Sequence, residues 1–173
     1  MFIKRILRFL KRKRVFYLVN KKYAGTRPEF FEKKRKALNS IGCDIGEGTK
    51  IVGPILIQCK LKIGKNCWIN RNFECQGNGE VEIGDNCDFG PDVIINTGGH
   101  KIGDSSRRAG EGIITKIKVE SGTWVGLRST IINNTTIGKS CVIAAGSVVI
   151  KDVPDNVLVA GVPAQIKREL GDE

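Results

Sequence analysis

The sequence predicts a mainly β protein: a parallel β-helix of hexapeptide repeats with α-helices at its N-terminus and a short helix at its C-terminus. Three observations predict it. Aliphatic or aromatic side chains recur every six residues, at Ile45, Ile51, Ile57, Ile63 and Ile69, then Ile83, Phe89 and Ile95, then Val119, Val125, Ile131, Ile137, Ile143 and Val149. A small or medium residue often stands four steps on, as at Thr49, Cys67, Phe73, Cys87, Val93, Thr123, Ser129, Thr135, Cys141 and Ser147. Glycine often follows the aliphatic position, as in Ile45-Gly46 and Ile63-Gly64. A period of six matches neither the helix (about 3.6) nor the strand (about 2), so it is a repeat signal. Six residues make one short strand and one corner, and three such units close a triangular coil. Stacked coils bury the aliphatic column and pair each strand with those above and below.

The elements follow in order. A basic helical region is expected over 1–40, the β-helix over 41–155 with a projecting loop at 98–116, and a capping segment over 156–173. Residues 2–22 read as a helix, with Ile3, Ile6, Leu7 and Leu10 at helical spacing among Lys4, Arg8, Lys11 and Arg12. Such a basic amphipathic helix suits either an anionic membrane surface or packing on the body or a neighbouring subunit. A second helix should start at Thr26, where Thr26 and Glu29 have capping-box spacing and Pro28 suits a first turn. It should end near Leu38, before Gly42. The run Lys33, Lys34, Arg35, Lys36 reads as a solvated face.

The repeat then begins. It slips by two at Gly77-Asn78-Gly79 and breaks over Asn96–Trp124, where glycines cluster and the only histidine, His100, appears. Val119 stands 24 residues after Ile95, so the phase survives. The break is therefore an excursion from the coil, and Gly98, Gly99, Gly110 and Gly112 should leave that loop free to close over a ligand. Pro154 and Pro163 end the coil, and QIKREL should form a helix that caps it.

Composition narrows the class. With 173 residues and 40% hydrophobic side chains, the chain is one domain with a sizeable core. Neither a membrane-spanning run nor a signal-peptide cleavage pattern is present, which reads as cytoplasmic. Residues 1–40 hold 14 Lys/Arg and two Glu, whereas the other 133 hold 15 Lys/Arg and 16 Asp/Glu. The basic character belongs to the N-terminal region, which argues against a nucleic-acid-binding domain. The six cysteines show no metal-binding spacing and read as small buried residues in a reducing compartment.

The motifs IGKNCWIN (63–70), EIGDNCDFGPDV (82–93), TGGH (97–100), KVESGTWVG (118–126), TIGKSCVIAAGSVVIKDVP (136–154) and VAGVPA (159–164) resemble those of the hexapeptide-repeat acyltransferases. They are most similar to the galactoside/maltose O-acetyltransferase branch and its polysaccharide-modifying relatives. The resemblance covers about residues 60–168 and leaves the first 40 unmatched. It implies a left-handed coil, an exception to right-handed crossovers that the period alone does not reveal. It also implies a homotrimer, with acetyl-CoA in clefts between neighbouring coils.

The same resemblance implies roles for individual residues. His100 matches the general base, a task that suits an imidazole near neutral pH. Its orienting partner is left open between Asp92 and a backbone carbonyl. Backbone N–H groups at Gly126-Leu127 match the oxyanion donors. Trp124, Ala145, Gly146, Lys151 and Arg168 match cofactor-binding positions, and Asn70, with Trp68 two residues away, matches the acceptor side. Packing alternatives stand beside these: a corner aromatic for Trp124 and a stacked asparagine ladder for Asn70. Ile150 and Gln165 depart from the family's usual Thr and Arg, which leaves three alternatives for CoA: a weaker anchor, the Arg107-Arg108 pair, or a neighbouring subunit. The implied reaction is acetyl transfer from acetyl-CoA to a sugar hydroxyl, in a surface-polysaccharide precursor. N-acetylation of an amino sugar, acetylation of an antibiotic, and a non-catalytic β-helix scaffold are the alternatives. A zinc-dependent β-helix carbonic anhydrase is excluded, because one histidine per chain cannot supply its ligand sets.

Overall fold

The computed structural model describes residues 2–171. Helix α1 spans Phe2–Tyr17 and runs on as a π turn, Leu18–Lys22. Its C-terminal end docks on the body: Val15 and Val19 are buried and Phe16 packs against the core. Asn20 fastens the junction, its side chain donating to the Ile55 carbonyl at 2.8 Å and accepting from the Ile55 N–H at 2.9 Å. The residues whose spacing marked this helix, Ile3, Ile6, Leu7 and Leu10, are all exposed.

Helix α2, Pro28–Asn39, starts later than the sequence suggested. Proline pushes the residue before it out of the helical region, so Arg27 takes the cap position with extended backbone and no side-chain cap. The Thr26–Glu29 capping box is therefore not formed. The solvated cationic face also needs correction at Lys34, which is fully buried. Its ammonium donates to the Gly25 carbonyl at 2.8 Å and the Val52 carbonyl at 3.1 Å and lies 4.8 Å from the Phe31 ring centre. It joins α2 to the solenoid.

The solenoid has three walls. Wall one stacks Asp44–Ile45, Lys60–Ile63, Glu80–Ile83, Lys116–Val119 and Thr136–Ile137. Wall two stacks Lys50–Ile51, Trp68–Ile69, Asp88–Phe89, Trp124–Val125, Val142–Ile143 and Val157–Gly161. Wall three stacks Ile55–Ile57, Phe73–Gln76, Ile94–Asn96, Thr130–Ile132 and Val148–Val149. Neighbouring coils pair in parallel, aligning Ile45, Ile63, Ile83, Val119 and Ile137 in one column. Every residue of the six-residue beat is at most 4% exposed. Phe73 and Phe89 meet edge to face at 5.5 Å inside the coil.

The fourth-step residues are buried too, and most of their polar atoms are satisfied between coils, Thr135 bonding within its own corner. Thr49 Oγ1 donates to Gly64 O at 2.7 Å, Cys67 Sγ to Gly84 O at 3.1 Å, Cys87 Sγ to Glu120 O at 3.2 Å, Thr123 Oγ1 to Gly138 O at 2.9 Å and Cys141 Sγ to Pro154 O at 3.0 Å. Threonine and cysteine share this position because each offers a short side chain with one donor. The expectation that all six cysteines are unpaired is corrected at Cys59 and Cys75, which form a disulfide with Cα atoms 5.9 Å apart.

The segment Ala164–Glu169 is not a helix; it pairs antiparallel with Val157–Gly161. Val157–Gly161 ends wall two with unpaired backbone groups, and the returning strand satisfies them. The excursion after wall three is not a free loop either. Gly98–Ile102 and Ala109–Ile114 form an antiparallel ribbon, closed at its root by Thr115 N–H donating to Thr97 O at 2.8 Å.

Candidate active site

The ribbon positions His100. Gly98, Gly99 and His100 pair with Ile114, Ile113 and Gly112, and the register shifts between His100 and Ile102. Such a bulge re-aims a side chain. The imidazole Nδ1 lies 2.9 Å from the Gly110 carbonyl oxygen. A carbonyl only accepts, so Nδ1 is the donor, and in the neutral ring the lone pair is on Nε2. The orienting group is thus a backbone carbonyl. Asp92 instead accepts from the Asn72 side chain at 2.7 Å in the next coil. At the ribbon tip Asp104 accepts from the Ser106 hydroxyl at 2.5 Å and from the Ser106 and Arg107 N–H groups, which hold its carboxyl below the usual range. Across the ribbon Lys101 pairs with Glu111 at 2.6 Å.

His100 opens on a cleft of about 600 Å³ that Asn78 and Asn96 also line. Sequence reasoning did not single out either asparagine. Asn96 Oδ1 accepts from Gly98 N–H at 3.0 Å, which ties the ribbon's first residue to wall three. Asn78 sits in the Gly77-Asn78-Gly79 turn, packed directly against the ribbon root, where Gly79 N–H donates to Thr97 Oγ1 at 3.0 Å. The signal was available: the slip and the break of the beat fall at the same corner of adjacent coils. No wall of the cleft carries a carboxylate among the described residues.

Six of the other predicted site residues, Trp124, Asn70, Gly126, Leu127, Ala145 and Gly146, gather elsewhere. Trp124 stands on the outer face of wall two, 58% exposed, in register with Asp88 and Val142. The corner after it stacks Asn70, Gly90, Gly126 and Ala144, with Leu127, Ala145 and Gly146 just beyond. A Cβ at Gly126 would meet Ala145 N at 2.6 Å, whereas at Gly146 it would meet nothing within 4 Å. The rim is therefore closed at Gly126 and open at Gly146. The Gly126 N–H donates to Ile143 O at 2.8 Å inside the coil ladder. Asn70 Oδ1 accepts from Arg71 N–H at 2.8 Å.

Trp68 is two coils from Trp124 on the same column, but it is half-buried and packs edge-on against Phe31 of α2, with ring centres 5.7 Å apart. Lys151 is exposed at the corner between walls three and one, and Arg168 lies on the last strand opposite Leu158. The structure therefore brings Trp124, Asn70, Gly126, Leu127, Ala145 and Gly146 to one edge of wall three. It places His100 at the other edge, a strand's length or roughly 10–15 Å away. Among the described residues no cluster of His, Cys, Asp and Glu could hold a metal ion.

No family model matches the chain. Individual relatives do. It is 33% identical over 147 residues to the galactoside O-acetyltransferase of Escherichia coli, covering 84% of this chain and 72% of that one. It superposes with TM-score 0.79 and 29% identity on a hexapeptide-repeat-containing acetyltransferase of Vibrio cholerae solved with acetyl coenzyme A, covering 94% and 86% of the two chains. With a galactoside acetyltransferase solved in complex with coenzyme A the TM-score is 0.74 at 26% identity, over 95% and 82% of the two chains. A shared parallel β-solenoid and a 33% identical relative over most of both chains lead to one conclusion: the chain belongs to the galactoside/maltose O-acetyltransferase branch of the hexapeptide-repeat acetyltransferases and is an acetyl-CoA-dependent acetyltransferase.

Proposed function

We propose that the protein transfers the acetyl group of acetyl-CoA to a hydroxyl of a sugar, in a precursor of a surface polysaccharide, with His100 as general base. The observation that carries this reading is the bond from His100 Nδ1 to the Gly110 carbonyl, which leaves Nε2 as the proton acceptor at the cleft. Nε2 takes the proton as the acceptor oxygen attacks the thioester carbonyl, and CoA leaves as the thiol. The Leu127 N–H serves the developing oxyanion, because the Gly126 N–H is engaged with Ile143.

The side chains of Asn78 and Asn96 suit neutral hydroxyls, and a cleft wall without a carboxylate favours a hydroxyl over a protonated amine. Trp124 and the rim at Ala145-Gly146 take the pantetheine arm, while Arg168, and Lys151 of a neighbouring copy, take CoA phosphates. Because His100 and that rim lie on opposite edges of wall three, the working unit is a homotrimer. The imidazole of one copy then completes the rim of its neighbour. Acetyl-CoA is a cytoplasmic metabolite, which supports that compartment.

Thiol release from acetyl-CoA, followed with a panel of glycosides and mass detection of the product, tests the reading. His100→Asn should lower kcat by about 10²–10⁴-fold with the trimer intact. An unchanged rate would overturn the assignment of the base.

A further inference from the structure

We propose that α1 docks the protein on an anionic phospholipid bilayer, its apolar stripe entering the acyl boundary and a basic cavity beside the stripe receiving a lipid phosphate. Three observations support this, and none depends on which acceptor the enzyme uses.

The first is direction. The docked end of α1 holds the body through Val15, Phe16 and Val19, with the Arg12 guanidinium donating to the Ile57 carbonyl. Toward the N-terminus the helix leaves the body, and residues 3–10 are all exposed. At about 100° per residue, Ile3, Ile6, Leu7 and Leu10 fall in one sector roughly opposite that of Val15, Phe16 and Val19. They are 72%, 41%, 60% and 54% exposed. The stripe thus points away from the solenoid, and a flat surface meets it without colliding with the body.

The second is charge. Lys4, Arg5, Arg8, Lys11, Arg12, Lys13 and Arg14 lie on α1 with no acidic residue among them. A second α1 laid on the stripe would bring like charges together, whereas an anionic bilayer neutralises them. Among the described residues no helix is long and apolar enough to cross a membrane, so α1 would lie in the interfacial plane.

The third is a cavity of about 400 Å³ between α1 and the Ser40-Ile41-Gly42 turn, lined by Leu7, Arg8, Lys11 and Arg12. Lys11 is held there by donating to Ser40 O at 2.5 Å. Leu7 belongs to both stripe and cavity, so a lipid with its chains along the stripe has its phosphate beside Arg8 and Lys11.

Co-sedimentation of the full-length protein with vesicles of phosphatidylcholine alone, or mixed with phosphatidylglycerol, tests the proposal. Wild type should pellet with the anionic vesicles and be released by salt. The double variant Ile6→Glu, Leu10→Glu should bind roughly ten-fold more weakly, and Arg8→Gln several-fold more weakly. Both should keep the wild-type acetyl-CoA turnover with a soluble acceptor. Equal pelleting of wild type and the double variant, or of wild type with neutral and anionic vesicles, would overturn the proposal. So would a change in oligomeric state of the double variant without lipid, because a second copy would then be what covers the stripe.

Discussion

Lys34 carries a charge into the joint between α2 and the solenoid, with two backbone carbonyls as its acceptors. Burial lowers its pKa from 10.5 to about 8. The unfolded chain therefore keeps this proton to higher pH than the folded one, so the Lys34 contribution to stability rises from about pH 8 and levels off near 10.5. Denaturant unfolding across that window should show wild type gaining on the order of 2 kcal/mol relative to Lys34→Met. Parallel curves would mean that the ammonium is solvated. The sequence put this residue in a run of four cations, and nothing in the run separates the buried one from the others. Spacing on α2 alone does not say where the helix meets the solenoid. His100 is the reverse case. Its isolation and its TGGH context singled it out as the candidate base, but its partner stayed open between Asp92 and a backbone carbonyl, because a carbonyl ten residues away leaves no side-chain signature.

At the scale of elements, the six-residue beat was legible because a side chain pointing into a narrow coil must be apolar. The glycines beside it record the stacking distance. A Cβ at Gly84 would lie 2.6 Å from Ser121 N in the next coil. Gly84→Ala should therefore cost about 1–3 kcal/mol in thermal or denaturant unfolding while leaving kcat unchanged at low temperature, since the corner lies away from the cleft. Unaltered stability would show that the coils can spread. The ribbon and the last strand were not legible. Their pairing is antiparallel, short and rich in glycine or charge, and the stretch QIKREL has a composition that suits a helix when no neighbouring edge is considered. The exposed edge of wall two decides otherwise.

For the whole molecule, the period gives a coil but is blind to its hand; the family resemblance supplied that. The separation of His100 from the Trp124 rim was also invisible in the sequence, because it depends on which corner each repeat occupies. It leads to a complementation test. His100→Asn and Ala145→Trp should each be inactive alone, and trimers reassembled from equal amounts should recover about a quarter of wild-type activity if each site takes one edge from each of two neighbours. No recovery would mean that each chain builds its own site.

The Thr97–Thr115 bond gives the ribbon a narrow neck. Wall three ends and wall one resumes as though the residues between were absent, so the scaffold places little constraint on what hangs there. If the ribbon meets the acceptor as proposed, acceptor choice can diverge as an interchangeable cassette: a ribbon of another length or sequence, closed by the same two threonines, would change what is acetylated without disturbing the rim proposed for the donor.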